Sequence, residues 1–296
     1  MSKQRIKIVQ IIGTRPQYEK LIRFEADWVI DTGQHYSKSL TLDAKEVDEV
    51  YIWEGVRNTA RLLTDKLEDV APQLVIVYGD TYSTLAGALA AKRANIPLMH
   101  VEAAVPYDNS LEGKIRRKVD SLSKYLICPT HRAYIFAEAL YGKDKSVYFT
   151  GDLLYDRFLR ERETLLCKWD IHVMTIHRRE NLPDLQLILN EASESVGKGV
   201  IWFYLHPHTA KYIRDNDIKV SKNIIMQDPS DHKDMIAALY QAKSVITDSG
   251  GLVREASWAG VPFKFIGNNP WPETEAFGKG NAEKEIRRVV DEILRR

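Results

Sequence analysis

Short runs of β-branched and other apolar residues alternate along the chain with segments of helical spacing, and that alternation predicts a βα fold. In the first half, residues 6–12, 28–30, 74–78 and 98–101 read as strands, with 125–128 and 147–149 as further strands. Helical spacing follows over 58–70, 83–93 and 112–123. Strand, polar turn and helix in regular succession describe an open, mainly parallel sheet covered on both faces.

The pattern restarts in the second half, with strands expected at 172–176, 201–205, 224–226, 244–247 and 262–266. The fold class is therefore α/β, with two Rossmann-like doubly wound domains. The charged helical stretch Asp156-Arg157-Phe158-Leu159-Arg160-Glu161-Arg162 separates the two strand series. It puts an N-terminal domain at 1–158 and a C-terminal domain at 159–296. The closing segment 282–296 has helical spacing in Ile286, Val289, Val290 and Ile293, and is expected to pack back on the first domain. A chain of 296 residues suits two cores, since single domains cluster near roughly 100–150 residues.

Composition narrows the partners. The 44% hydrophobic and 28% charged fractions are those of a soluble globular protein. A formal charge of only +1 supplies no global field for nucleic acid or an anionic membrane, so any attraction for phosphate is local. Two widely separated cysteines, Cys128 and Cys167, lack CxxC spacing, which argues against a disulfide framework or a zinc ribbon and fits a reducing cytoplasm. No stretch approaches the roughly 18 apolar residues of a membrane span. The basic residues Lys3, Arg5 and Lys7 precede a short apolar run that reads as a first strand rather than a signal peptide.

In open α/β sheets ligands bind outside the carboxyl ends of the strands, and the distinctive residues fall there. Gly13-Thr14-Arg15-Pro16 follows the first strand and precedes a helix expected to contain Lys20; it reads as a phosphate loop or as a structural turn. Its spacing is neither GxGxxG nor a Walker loop. Asp31-Thr32-Gly33-Gln34-His35-Tyr36 and Gly79-Asp80-Thr81 follow other strands, and Asp80 reads either as a site carboxylate or as the cap of the next helix. Glu102, in His100-Val101-Glu102-Ala103, is a carboxylate among small apolar neighbours, costly to bury without a partner. Glu112 and Arg116 are four apart on a basic helix, so they either share a cleft or pair on the surface.

In the second half, Thr175-Ile176-His177-Arg178-Arg179-Glu180-Asn181 ends a strand with a charged cluster that few structural roles require. His206-Pro207-His208 raises the question of zinc, but no third ligand stands out and no metal is expected. His131, His172 and His232 read as ordinary structural histidines. Thr247-Asp248-Ser249-Gly250-Gly251 is strand, turn and helix start, suited to a diphosphate, with Glu255 one turn on to accept from ribose hydroxyls. Ser249 lacks GxSxG context and a base, so it is not a hydrolase nucleophile.

Taken in order, GTRP, TGQH, GDT, HVEA, a Glu with an Arg four residues on, HRREN, HPH and DSGG make the chain resemble the non-hydrolysing UDP-N-acetylglucosamine 2-epimerases. The resemblance runs from about Ile8 to Glu273. It implies a glycosyltransferase-B type architecture, with a central cleft holding UDP-sugar, a homodimer, and work in cell-surface polysaccharide biosynthesis. It makes Asp80, Glu102, Glu112 and His177 the counterparts of the catalytic groups. Arg15, Lys20, Arg116, Arg178, His206, Ser249, Gly250, Gly251 and Glu255 fall at substrate-binding or cleft positions. The implied reaction eliminates UDP to give 2-acetamidoglucal and adds it back on the other face at C2, with no cofactor. A carboxylate base suits the C2 proton, and cations and amides suit the leaving diphosphate.

Several positions depart from the family pattern. Gln17 replaces the acid of GTRPE, Ala104 replaces the glycine of HVEAG, and Gly113 replaces the second Glu of Pro-Glu-Glu. Trp271 replaces an arginine, Val253-Arg254 replace two residues after DSGG, and the loop 104–111 is shorter. These changes read as lying around the substrate. They leave open a hydrolysing relative that releases N-acetylmannosamine, a glycosyltransferase of the same fold, and a non-catalytic nucleotide-sugar sensor.

Overall fold

A computed structural model describes residues 6–34, 47–105, 109–161, 171–267 and 280–295. The chain divides into two compact units, Met1–Asp156 with Glu275–Arg296, and Arg157–Thr274.

The first unit is built on β1 (Ile8–Ile12), β2 (Asp27–Asp31), β3 (Glu49–Val50), β4 (Leu74–Tyr78), β5 (Leu98–Val101), β6 (Tyr125–Cys128) and β7 (Ser146–Phe149). They form one sheet in the order β3-β2-β1-β4-β5-β6-β7, and every pairing is parallel. Helices α1 (Arg15–Tyr18), α2 (Gly55–Val70), α3 (Tyr82–Arg93), α4 (Leu111–Leu122) and α5 (His131–Tyr141) connect the strands, and α6 (Leu153–Glu161) follows β7.

Why the central strands are apolar at every position is visible in their packing. Along β1, Ile8 and Ile12 enter one core while Val9 and Ile11 enter the other; along β4, Leu74, Ile76 and Tyr78 alternate with Val75 and Val77 in the same way. A strand buried on both faces loses the alternation of a half-exposed one. The second of these cores is closed by α2, α3 and α4 through residues such as Leu63, Ala88 and Ile115. The first is closed by the C-terminal helix, which contributes Ala282, Ile286, Val289 and Val290. Asp156 holds the start of that helix, its Oδ2 accepting from the Glu283 amide at 3.0 Å.

The second unit has β8 (Ile171–Thr175), β9 (Val200–Tyr204), β10 (Ile224–Gln227), β11 (Ala242–Thr247) and β12 (Phe263–Phe265), in the order β10-β9-β8-β11-β12, again all parallel. Between them run α7 (Leu185–Val196), α8 (Pro207–Asp215), α9 (His232–Gln241) and α10 (Gly250–Trp258), with a single 3-10 turn at Arg179–Asn181. The closing helix of the chain, α11 (Ala282–Arg295), belongs to the first unit. Both sheets are doubly wound: in each, the strand order reverses beside the first strand, between β1 and β4 and between β8 and β11.

Three details differ from the sequence expectation. The helix after β1 is a single turn ending at Tyr18, so Lys20 lies beyond it. The two-residue edge strand β3 is too short for any periodicity to announce. Helix α5 carries apolar side chains on its exposed face as well, including Ile135 and Leu140, which blurs its helical pattern.

Candidate active site

The reversal of strand order opens a crevice at the carboxyl ends of β1 and β4, and this is where a doubly wound sheet takes its ligand. In the first unit, Arg15 follows β1, Asp80 follows β4, Glu102 follows β5, and Arg116 comes from α4. Two ion pairs hold the two carboxylates. Arg116 bonds Asp80, with the Arg116 side chain buried and Asp80 partly open. Lys20 bonds Glu102, and both are almost wholly buried. Arg15 is partly exposed, with Nε 3.6 Å from Glu19. Asp80 is therefore not the cap of the following helix; Thr81 is, its Oγ1 accepting from the Thr84 amide at 3.3 Å.

Of the two alternatives for Glu112 and Arg116, the burial of Arg116 excludes a surface pair. Arg116 turns inward to Asp80, while Glu112 is exposed in the first turn of α4. Ser110 caps that helix by accepting from the Gly113 amide at 3.0 Å, so Gly113 is buried in the turn.

Glu102 and Ala104 hold left-handed backbone conformations, with φ of 68° and 55°, unusual for residues with a Cβ. A fully buried pair beneath them retains this turn. His100 Nδ1 lies 2.5 Å from Asp120 Oδ1, and His100 Nε2 lies 2.6 Å from the Gly79 carbonyl oxygen. The second Asp120 oxygen accepts from the Ala104 amide at 3.0 Å. One buried histidine thus joins the loop that carries Asp80 to the loop that carries Glu102. Composition alone did not mark Asp120, because it sits on a helix rich in charge.

Of the two readings of Gly13-Thr14-Arg15-Pro16, the backbone amides favour the structural turn. The Gly13 and Thr14 amides donate to Gln17 Oε1 at 2.9 and 3.2 Å. Gln17 Nε2 donates to the Tyr78 carbonyl at 2.7 Å, to Thr81 Oγ1 at 3.0 Å and to Thr84 Oγ1 at 2.9 Å. Gln17 is buried and braces the β1 loop against the β4 loop, so this departure is interior rather than at a ligand. Gly13 is required by contact: a Cβ there would meet Ser83 Oγ and Thr32 Oγ1 at 2.1 Å. In the TGQH segment, Gln34 accepts from the Ser83 amide at 2.7 Å, and His35 lies outside the described residues.

In the second unit the organiser is Asp248, at the end of β11 and fully buried. It accepts from the backbone amides of His177 and Arg178, at 3.0 and 2.8 Å, from Asn181 Nδ2 at 3.0 Å, and it lies 3.0 Å from His177 Nδ1. Burial alone would push its carboxyl up, but the His177 hydrogen bond and charge, with the Asn181 and Arg178 bonds, outweigh burial and hold it below the usual carboxylate range.

His177 and His206 have ring centroids 6.0 Å apart, and His206 and His208 are 5.0 Å apart. His206 caps α8, its Nδ1 accepting from the His208 amide at 3.3 Å. No group of three His, Cys, Asp or Glu among the described residues has metal-binding geometry. Arg178 is half-exposed, its guanidinium 5.8 Å from the centre of the Phe265 ring. Ser249 caps α10, accepting from the Leu252 amide at 3.3 Å, and Gly250 and Gly251 form its first turn. Glu255 is buried, with Oε1 2.8 Å from His232 Nε2, so His232 is not a bystander. Val253 and Arg254 are buried as well, with the Arg254 guanidinium 5.8 Å from the Trp258 ring centre.

Charged and polar side chains gathered at the carboxyl ends of two doubly wound parallel sheets define a ligand-binding α/β protein of the Rossmann-like class. The UDP-N-acetylglucosamine 2-epimerase family model matches residues 23–294, and the chain belongs to that family. A UDP-N-acetylglucosamine 2-epimerase homolog of Methanococcus maripaludis is 33% identical, over 91% of this chain and 86% of that protein. The UDP-2,3-diacetamido-2,3-dideoxy-D-glucuronate 2-epimerase of Pseudomonas aeruginosa is 32% identical, over 87% of this chain and 82% of that protein. The fold matches the crystal structure of the Methanocaldococcus jannaschii UDP-GlcNAc 2-epimerase in complex with UDP-GlcNAc and UDP, with a TM-score of 0.81 at 24% identity, covering 97% of this chain and 99% of that one. The family is one of UDP-sugar 2-epimerases, which are isomerases. No helix among the described residues is long and apolar enough to cross a membrane.

Proposed function

We propose that the protein is a UDP-N-acetylglucosamine 2-epimerase, interconverting UDP-N-acetylglucosamine and UDP-N-acetylmannosamine by elimination and re-addition of UDP. The observation that carries this reading, within the family, is the pairing of Glu102 with Lys20 and of Asp80 with Arg116 at strand ends of the first unit. A carboxylate among Asp80, Glu102 and Glu112 takes the proton from C2 as the C1–O bond breaks and UDP departs, leaving 2-acetamidoglucal. Return of a proton to the other face of C2, with attack of the UDP oxygen at C1, completes the epimerisation.

The departing diphosphate is negative, and the amides at the start of α10, with Ser249, Gly250 and Gly251, are suited to it. Arg15, Arg178 and His206 are assigned to the nucleotide side, and Glu255 to the ribose. His177 acts on the leaving group. Lys20 and Arg116 serve the carboxylates they bond. The protein works as a homodimer in the cytoplasm, in cell-surface polysaccharide biosynthesis.

One observation favours a second substrate: the Pseudomonas aeruginosa relative, named for a diacetamido-glucuronate sugar, is nearly as similar as the Methanococcus maripaludis one. The same C2 chemistry serves either sugar. The test is incubation with each UDP-sugar in deuterium oxide, followed by NMR. Deuterium at C2 of a UDP-linked epimer of UDP-N-acetylglucosamine is expected. Turnover of the diacetamido-glucuronate alone moves the substrate, free N-acetylmannosamine identifies a hydrolysing enzyme, and an epimer without deuterium excludes solvent-exchanging elimination.

A further inference from the structure

We infer that Asp248 is a positioning residue that fixes the tautomer of His177, holding the proton on Nδ1 and leaving Nε2 as the ring atom that exchanges protons with the reacting molecule. The consequence for turnover rests on the epimerase reading; the tautomer itself does not.

The argument begins with the donors around Asp248. Its Oδ2 receives the Arg178 amide at 2.8 Å and Asn181 Nδ2 at 3.0 Å, and the His177 amide reaches Oδ1 and Oδ2 at 3.0 and 3.1 Å. A fully buried carboxylate surrounded by N–H groups is an acceptor only. The His177 ring meets Oδ1 with Nδ1 at 3.0 Å, so Nδ1 must donate. In the neutral ring Nε2 then carries the lone pair. The His177 side chain remains 39% exposed, whereas Asp248 is inaccessible. Asp248 therefore touches no substrate and acts through the ring it orients.

The same geometry says what an amide would do at this position. The Arg178 amide and Asn181 Nδ2 both demand an acceptor at the Oδ2 position, so an asparagine would place its carbonyl there. Its NH2 would take the Oδ1 position, facing His177 Nδ1. Two donors cannot share one hydrogen bond, so His177 would shift its proton to Nε2. Asp248→Asn thus preserves shape while reversing the ring.

The test uses the full-length protein labelled with nitrogen-15 histidine, without ligand, and reads ring tautomers by long-range proton–nitrogen correlation. His177→Asn assigns the signal. In the wild type the His177 ring is expected to show the Nδ1–H pattern, and a predominant Nε2–H pattern overturns the inference. Asp248→Asn is expected to show the Nε2–H pattern and to lower kcat on the order of 10²-fold or more, with UDP affinity by calorimetry changed only a few-fold. Retention of the Nδ1–H pattern in Asp248→Asn, or wild-type kcat with the tautomer reversed, also overturns it. Asn181→Ala removes one bond to Asp248 but keeps the carboxylate, and should leave the His177 pattern unchanged. If Asp248→Asn does not fold, the wild-type and Asn181→Ala patterns decide. Failure of the epimerase reading shows separately, as absence of C2 exchange in the wild type.

Discussion

Gln17→Ala isolates the brace between the β1 and β4 loops. The substitution removes the acceptor for the Gly13 and Thr14 amides, at 2.9 and 3.2 Å, and the donor to the Tyr78 carbonyl at 2.7 Å. The Tyr78 carbonyl keeps a partner, because Thr84 Oγ1 donates to it at 2.6 Å. The two amides do not, among the described residues. Each buried N–H left unsatisfied costs about 1–3 kcal/mol, partly offset by roughly 1 kcal/mol of released side-chain entropy, for a net of about 1–5 kcal/mol. At roughly 2–4 °C per kcal/mol for a chain of this size, thermal unfolding followed by circular dichroism should drop by roughly 2–20 °C. Gln17→Glu restores the family's acid and keeps both amides satisfied, but sets a buried carboxylate oxygen against the Tyr78 carbonyl, so it too should be less stable than wild type. An alanine variant within about 2 °C of wild type would refute the brace.

Asp120→Ala leaves buried His100 and the Ala104 amide without their carboxylate, and should cost about 2–5 kcal/mol in denaturant unfolding while lowering kcat more than UDP affinity; unchanged kcat would detach the His100 pair from Glu102. A Cβ on Gly251 meets only Ser249 Oγ, at 3.8 Å, so Gly251→Ala should leave stability unchanged or raise it by up to about 1 kcal/mol while weakening UDP binding in calorimetry; unchanged UDP affinity counts against α10 as the diphosphate site. Asp248 binds its proton less tightly folded than unfolded, so its contribution is present above the usual carboxylate range and is lost as pH falls through its lowered value; acid unfolding of Asp248→Asn should therefore depend less on pH below about pH 4 than that of wild type. Ile286→Ala, in the α11 face buried on the first sheet, should destabilise by about 2–5 kcal/mol in urea.

Strand placement was legible because the information is local. Leu74–Tyr78 and Leu98–Val101 announce themselves by composition, and the observed strands follow the expected runs to within a residue or two elsewhere. Strand-end motifs were legible for the same reason. What sequence could not supply is partnership across the fold. Glu102 is 82 residues from Lys20, and Asp80 is 36 residues from Arg116, separations at which no spacing rule speaks. Asp120 and His232 carried no signal at all: one sits on a charged helix and the other begins an ordinary helix, and only packing brings them against His100 and Glu255.

The departures from the family pattern weigh differently once their surroundings are known. Gln17, Val253 and Arg254 read as changes near substrate, yet all three are buried, and Gln17 satisfies its amide and carbonyl within the protein. Buried residues that have neighbours to satisfy change for packing reasons as readily as for binding ones. They therefore carry little evidence about which sugar is bound. Ala104 is likewise buried, its amide on Asp120. Trp271 and positions 106–108 of the shortened loop lie outside the described residues. With relatives of two different named sugars standing at 33% and 32% identity, overall similarity does not choose between substrates. The choice rests on turnover itself, which is why both UDP-sugars belong in the same deuterium experiment.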